Sequence, residues 1–299
     1  MKLSSPIPRN FNFWATVYSH GWCALPPFRV DEERRRLHVV IPNGNGGYDE
    51  VELYEKKKAL FVSVENKSSH SPQKISRIRN CVASMLRTEE SFEEFYAESK
   101  RHSRYRWISK CGAGRLLRCP TVFEDVVKMI CTTNCSWALT GIIVKALVTK
   151  LGTHLHDDVY SFPSPEVIAS CSESFLRKEI RCGYRAPYLL ELSRKIVSGK
   201  LGIEEWRTSE APTEELFEEV RSVKGVGEYA AGNILKLLGR YDYLGLDSWC
   251  RGKFYELFKK GRRVKDSTIE KYYAPYGKWR GLFLWMDVTK DWYTKEIPF

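Results

Sequence analysis

The stretch VRSVKGVGEYAAGNILKLLG, Val220–Gly239, decides the reading, and LGLDSWCRGKF, Leu244–Phe254, follows it almost at once. Gly225 and Gly227 flank Val226, and the residues after them carry helical spacing. The segment before them, PTEELFEEVRSVK, is helical too, with Leu216, Val220 and Val223 on one side. The unit is therefore helix, tight turn, helix. GVGEYA also fits the G-x-G-x-x-A dinucleotide fingerprint, but that fingerprint needs a strand in front of it. A glycine turn leaves backbone amides uncovered, and the second helix adds the positive end of its dipole. Together they make an anion site that suits a DNA phosphate. Lys224, Gly225, Val226 and Gly227 are the candidate phosphate contacts. The plain alternative is an αα-hairpin that only packs two helices.

The rest of the chain agrees with a polyanionic partner. Lys and Arg number 48 against 37 Asp and Glu, a formal charge of +11. Apolar residues make up 43%, too many for a disordered chain. The nine cysteines include no CxxC and no zinc or iron–sulfur spacing, so free thiols in a reducing compartment are expected, and no metal. MKLSSPIPRN has no apolar core, so it is not a secretory signal, and no apolar run is long enough to span a bilayer. The expected location is intracellular, in cytoplasm or nucleoid, or in a nucleus.

The first third reads as β. FWATVYSHGW, RLHVVI, EVELYE and ALFVSVEN are short β-branched or aromatic runs, and VVIPNGNGGYDEVEL looks like a hairpin with a long loop. After SSHSP the spacing turns helical, and from Pro120 nearly everything is helical, including STIEKYYAPYGKWRGLFLWMDVTKDW. The fold class is α+β: an N-terminal antiparallel sheet domain with helices, residues 1–118, then a mainly helical, bilobed body, residues 119–299.

VKGVGEYAAGNIL followed by LGLDSWCRGKF resembles the helix–hairpin–helix plus Gly/Pro-Asp signature of the base-excision DNA glycosylases. GRLLRCPTVFEDVVKMICTTNCS, GYRAPYL and YAPYGKWRGLFLW resemble, in order, segments of the 8-oxoguanine glycosylase branch. The resemblance covers about Gly114 to Trp285. It implies double-stranded DNA with a damaged base as partner and no cofactor; a monomer is the default expectation. A monovalent cation at the hairpin is left open.

The resemblance makes Asp247 the catalytic group. Breaking an N-glycosidic bond builds positive charge on the sugar, and a fixed carboxylate stabilises that charge. Asp247 also suits the N-cap of the helix SWCRGKFYELF, and both roles can coexist. Strand-nicking members carry a lysine two residues past the second hairpin glycine, where it forms a Schiff base with the sugar. Tyr229 stands there and cannot. Lys224 faces a phosphate more plausibly, and Lys236 shares the face of Tyr229 but lies about 10 Å along the helix. The expectation is hydrolysis to an abasic site without strand cleavage.

Base flipping needs a pocket and a wedge. Asn134 and Tyr184 match the wedge and gap-filling positions of the family. Arg185 matches an arginine that reads the orphaned cytosine, although Leu139 replaces its expected companion. Gly281 falls where the 8-oxoguanine enzymes have a base-reading glutamine, and Trp285 where they have a stacking phenylalanine. Tyr229, Trp285 and Gly281, with Trp22 by a weaker correspondence, are the candidate pocket residues. An aromatic at the lysine position is similar to the bacterial 3-methyladenine glycosylase II branch. Aromatic walls suit an alkylated, electron-poor purine. Two alternatives stay open: an 8-oxoguanine-type enzyme with an altered pocket, and a non-catalytic helix–hairpin–helix protein that binds DNA.

Overall fold

The computed structural model describes residues 2–64 and 71–293. Strand β1 (Lys2–Pro6) precedes helix α1 (Phe13–Val17) and a 3₁₀ turn over Gly21–Ala24. Strands β2 (Arg29–Asp31), β3 (Arg36–Pro42), β4 (Tyr48–Lys56) and β5 (Ala59–Val64) complete an antiparallel sheet ordered β1-β5-β4-β3-β2. The β3–β4 hairpin pairs Val39 with Val51 and closes at Pro42 and Tyr48. Its long turn is held by the Asn43 side chain, which accepts from the amides of Asn45 (2.9 Å) and Gly47 (3.0 Å). Leu37, Val39, Ile41, Val51, Leu53, Leu60, Val62 and Val64 are all buried, which is the alternation expected of half-buried strands.

Two readings in this region change. FWATVYSHGW is not a strand. The Asn12 side chain accepts from the amide of Ala15 (3.0 Å), a helix cap at the start of the run, and all five residues of α1 are buried. The edge strand β1 (KLSSP) is not among the runs that read as β, since it lacks β-branched content; it is held by its register on β5, Lys2 to Ser63 through Pro6 to Ala59. Residues 65 and 66, the end of the run ALFVSVEN, lie outside the described residues.

Helices α2 (Pro72–Leu86), α3 (Glu93–Arg101) and α4 (Arg106–Cys111) follow the sheet. The body begins with α5 (Val122–Thr132) and α6 (Trp137–Leu151). A small hairpin of β6 (His154–His156) and β7 (Val159–Tyr160) leads to α7 (Pro165–Ser170), α8 (Glu173–Lys178) and α9 (Ala186–Val197). Then come α10 (Thr213–Arg221), α11 (Glu228–Leu238), α12 (Ser248–Lys259), α13 (Asp266–Tyr273) and α14 (Arg280–Asp291).

Helix α5 is buried almost all round, which places it at the centre of the body. Its charged residues are partnered: Lys128 pairs with Glu124 at 2.6 Å, and Asp125 accepts from the Trp22 indole at 2.8 Å and pairs with Arg207 at 3.3 Å. The C-terminal run that reads as helical is broken at Gly277, whose φ of 53° ends the regular turn between α13 and α14. The apolar core continues across residue 118. Phe95 and Tyr105 pack on Phe283 of α14 at 5.0 and 4.6 Å, and Tyr105 donates to the Asp287 carboxylate at 2.7 Å. Among the described residues, no helix is long and apolar enough to cross a membrane.

Candidate active site

The loop after α11 brings Asp247 to the N-cap of α12, where its Oδ1 accepts from the Cys250 amide at 2.7 Å. The capping role is thus present. It uses Oδ1, and the Cys250 thiol also hydrogen-bonds the Asp247 side chain. Asp247 is half-buried at the edge of a cavity of about 500 Å³. That volume accommodates a purine.

The cavity lies where α5, α6, α11, α12 and α14 meet the 3₁₀ turn near the N-terminus. Trp22, Tyr229 and Trp285 all line it, as expected, together with Asp247. The two tryptophans are fixed from behind: the Trp22 indole donates to Asp125, and Trp285 Nε1 donates to the Ser19 carbonyl at 2.9 Å. Three further tryptophans, which the sequence reading did not assign, complete the wall: Trp137, Trp249 and Trp292. Trp249 stands 6.0 Å from Trp285 and 5.6 Å from Trp292. Trp137 leans over Gly21, where a Cβ would fall 2.4 Å from its ring, so the close approach requires glycine. Trp249 carried a usable signal, two residues past Asp247; Trp137 and Trp292 carried none.

Electrostatically the cavity is mostly neutral. Burial pushes the His20 imidazole down to about 4 and leaves it uncharged at neutral pH, with Nε2–H donating to the Leu117 carbonyl at 2.6 Å. Burial, reinforced by the Asp247 charge and opposed by the Thr132 hydroxyl, pushes the Tyr229 phenol up to about 12. Burial also raises the Cys250 thiol. The exceptions are the Asp247 carboxylate and Lys236. The lysine lines the cavity, is 2% exposed, and donates to Asn233 Oδ1 at 3.0 Å and to the Leu244 carbonyl at 2.6 Å. Tyr229, Asn233 and Lys236 form one stripe of α11 at i, i+4 and i+7.

Gly281 departs from its expected place. It does not line the cavity. A Cβ there would meet the carbonyls of Tyr243 (2.2 Å) and Tyr241 (2.8 Å), and Lys236 Cε at 3.1 Å. Its amide donates to the Tyr241 carbonyl at 2.8 Å. It is a backbone contact that seats α14 against the loop after α11, and it lies behind Lys236 rather than beside a ligand.

The hairpin has the expected geometry. Gly225 has φ of 90°, and a Cβ would fall 2.5 Å from the Tyr188 ring. Gly227 caps α11 in an extended conformation, and a Cβ there would meet nothing. Val226 is buried, and among the described residues the amides of Gly225, Gly227 and Glu228 donate to no acceptor. Lys224 is exposed, with its ammonium 3.2 Å from Glu191.

The wedge residues stand on a second rim. Asn134 has φ of 48° and, at 3.4 Å, contacts the Tyr184 hydroxyl, which donates to the Thr133 carbonyl at 3.1 Å. Tyr184 is 42% exposed. Arg185 is placed differently from its expected role as a reader of an unpaired base. It is 3% exposed, its guanidinium donates to the Thr133 carbonyl, and it packs 4.5 Å under the Tyr184 ring. Leu139 lies half-buried in the first turn of α6.

No family model matches the chain. YfjP of Bacillus subtilis (strain 168), provisionally named a DNA-3-methyladenine glycosylase, is 22% identical over 269 residues, covering 87% of this chain and 90% of that protein. The 3-methyladenine DNA glycosylase of Archaeoglobus fulgidus superposes with a TM-score of 0.77 at 19% identity, over 97% of this chain and 99% of that one. The 8-oxoguanine glycosylase/lyase of Clostridium acetobutylicum, in complex with double-stranded DNA containing cytosine opposite 8-oxoguanine, gives 0.72 at 16% identity, over 97% and 98%. The chain has the fold of the helix–hairpin–helix DNA glycosylases. The resemblance read from Gly114 to Trp285 extends, as a fold, to nearly the whole molecule, the N-terminal sheet included.

Proposed function

We propose that this chain is a DNA glycosylase of base excision repair that flips an alkylated purine and hydrolyses its N-glycosidic bond. One observation carries the reading: a carboxylate, Asp247, lines a tryptophan-walled cavity behind a hairpin with open amides. The hairpin amides and the start of α11 take a phosphate, which holds the backbone beside the cavity. The base stacks among the indoles. As the C1′–N bond breaks, its electron pair leaves with the base, and the Asp247 carboxylate stabilises the cationic sugar. Water bonds to C1′, and its proton passes to Asp247. An abasic site remains.

Tyr229 at the hairpin position supports hydrolysis without strand cleavage. A phenol cannot form an imine, and one raised to about 12 stays protonated at neutral pH. The names of the compared proteins divide between 3-methyladenine and 8-oxoguanine; the aromatic walls and Tyr229 favour the alkylated base. Such an enzyme works as a monomer wherever the cell holds its DNA.

The test is base release from duplexes carrying 3-methyladenine, 7-methylguanine or 8-oxoguanine opposite cytosine, with borohydride added in parallel. Release of an alkylated base with no trapped enzyme–DNA adduct is expected. Release of 8-oxoguanine alone overturns the alkylation reading. DNA binding without any release makes the chain a binding protein. A trapped adduct means that an amine other than a hairpin lysine attacks the sugar.

A further inference from the structure

Lys236 has no role in the hydrolysis just described. A buried ammonium is costly unless it is paired. Among the described residues Lys236 forms no ion pair; its two partners are an amide oxygen and a carbonyl. An ammonium has three N–H donors, so one remains free. The position is also telling. Tyr229 occupies the sugar-facing position of α11, and Lys236 lies seven residues on, about 10 Å deeper along the axis. Both line the one cavity, and on the glycosylase reading a flipped base enters the space between them. Gly281 leaves room for the lysine stem, since any side chain there would crowd Lys236 Cε.

Accepting the glycosylase reading, we propose that Lys236 reads the base. Its free N–H donates to an acceptor on the far edge of the flipped purine, which selects uncharged alkylated purines over cationic N-methylpurines. 1,N6-Ethenoadenine is such a base, with ring nitrogens that accept. A 3-methyladenine nucleotide is cationic and meets a like charge instead.

The amine is poised to titrate. Burial pushes it down to about 8, against the opposing pull of Cys250 and Asp247 on α12. The other titratable groups lining the cavity are the Asp247 carboxylate, His20, Tyr229, Cys135 and Cys250. His20, at about 4, is already neutral, while the Tyr229 phenol, at about 12, and the raised Cys250 thiol keep their protons. The protonated fraction of Lys236 therefore falls about tenfold from pH 7 to pH 9.

Single-turnover release from ethenoadenine and 3-methyladenine duplexes, between pH 7 and 9, tests this. For the native chain, ethenoadenine release should fall about tenfold with a midpoint near 8, while 3-methyladenine release rises over the same interval. Lys236→Met should flatten both profiles, lower ethenoadenine release at pH 7 at least tenfold and raise 3-methyladenine release. Lys236→Gln, which keeps a donor without the charge, should restore ethenoadenine release and lose the pH dependence. If Lys236→Met keeps the native lesion ratio and pH profile, or loses both activities equally while Lys236→Gln restores both, the lysine is structural. Native chain that releases neither base overturns the glycosylase reading itself, whereas release that Asp247→Asn abolishes and Lys236→Met leaves at the native lesion ratio overturns only the lysine.

Discussion

The cavity and the wedge rim are built in opposite ways. Cavity residues are fixed by packing and by hydrogen bonds from behind: Trp22 by Asp125, Trp285 by Ser19, Asp247 by the Cys250 amide. On the rim, Asn134 and Tyr184 touch each other only at 3.4 Å, in solvent. Arg185 is turned inward. A base pocket must exist before the base arrives, because stacking and charge stabilisation depend on preset geometry. A wedge needs only to be available once the duplex has opened.

The largest expected effect breaks the cavity side. Asp247→Asn should reduce base release by about 100- to 1,000-fold. Asparagine caps a helix as well as aspartate does, so α12 and the melting temperature should hold, as should DNA affinity. A matched loss of stability would make Asp247 a cap alone. Full activity would remove it from the chemistry. Trp285→Ala is the milder test. Losing one stacking surface, worth about 1–3 kcal/mol, should slow release roughly tenfold to a hundredfold while leaving the affinity for undamaged DNA unchanged. An equal loss on undamaged duplex would make the indole part of the DNA-binding surface.

Much of this was legible in the sequence, for definite reasons. Tight turns announce themselves through glycine, so the hairpin at Gly225–Gly227 could be read directly, and Asp247 followed from its distance to it. Helix periodicity put Lys236 on the face of Tyr229. It could not say that the amine is buried, because burial depends on α14 and the loop through Leu244, which come later in the chain. The same limit hid Trp137 and Trp292, brought to one cavity by elements more than a hundred residues apart. FWATVYSHGW was misread because β-branched and aromatic content outweighs one capping asparagine in any local reading. Gly281 and Arg185 were carried over by correspondence, which transfers position but not orientation.

Arg185 gives the smallest expected effect and sharpens the contrast most. Its guanidinium serves the Thr133 carbonyl and supports Tyr184 from beneath, while its Nε is buried without a partner. Arg185→Met keeps the stem and removes those contacts. Leaving the Thr133 carbonyl without its charged donor should cost about 1–3 kcal/mol of stability, measured by denaturant unfolding. The rate ratio for a lesion opposite cytosine versus thymine should change less than about twofold, because a side chain facing the interior does not read the opposite strand. The residue would then act by positioning Tyr184, so Arg185→Met should slow base release, and Tyr184→Ala should do the same without the loss of stability. If the ratio instead collapses with stability intact, the guanidinium leaves its buried place when DNA binds. The wedge rim would then be assembled by the duplex itself, and the difference between the two regions would be one of timing: a pocket set at folding and a reader set at binding.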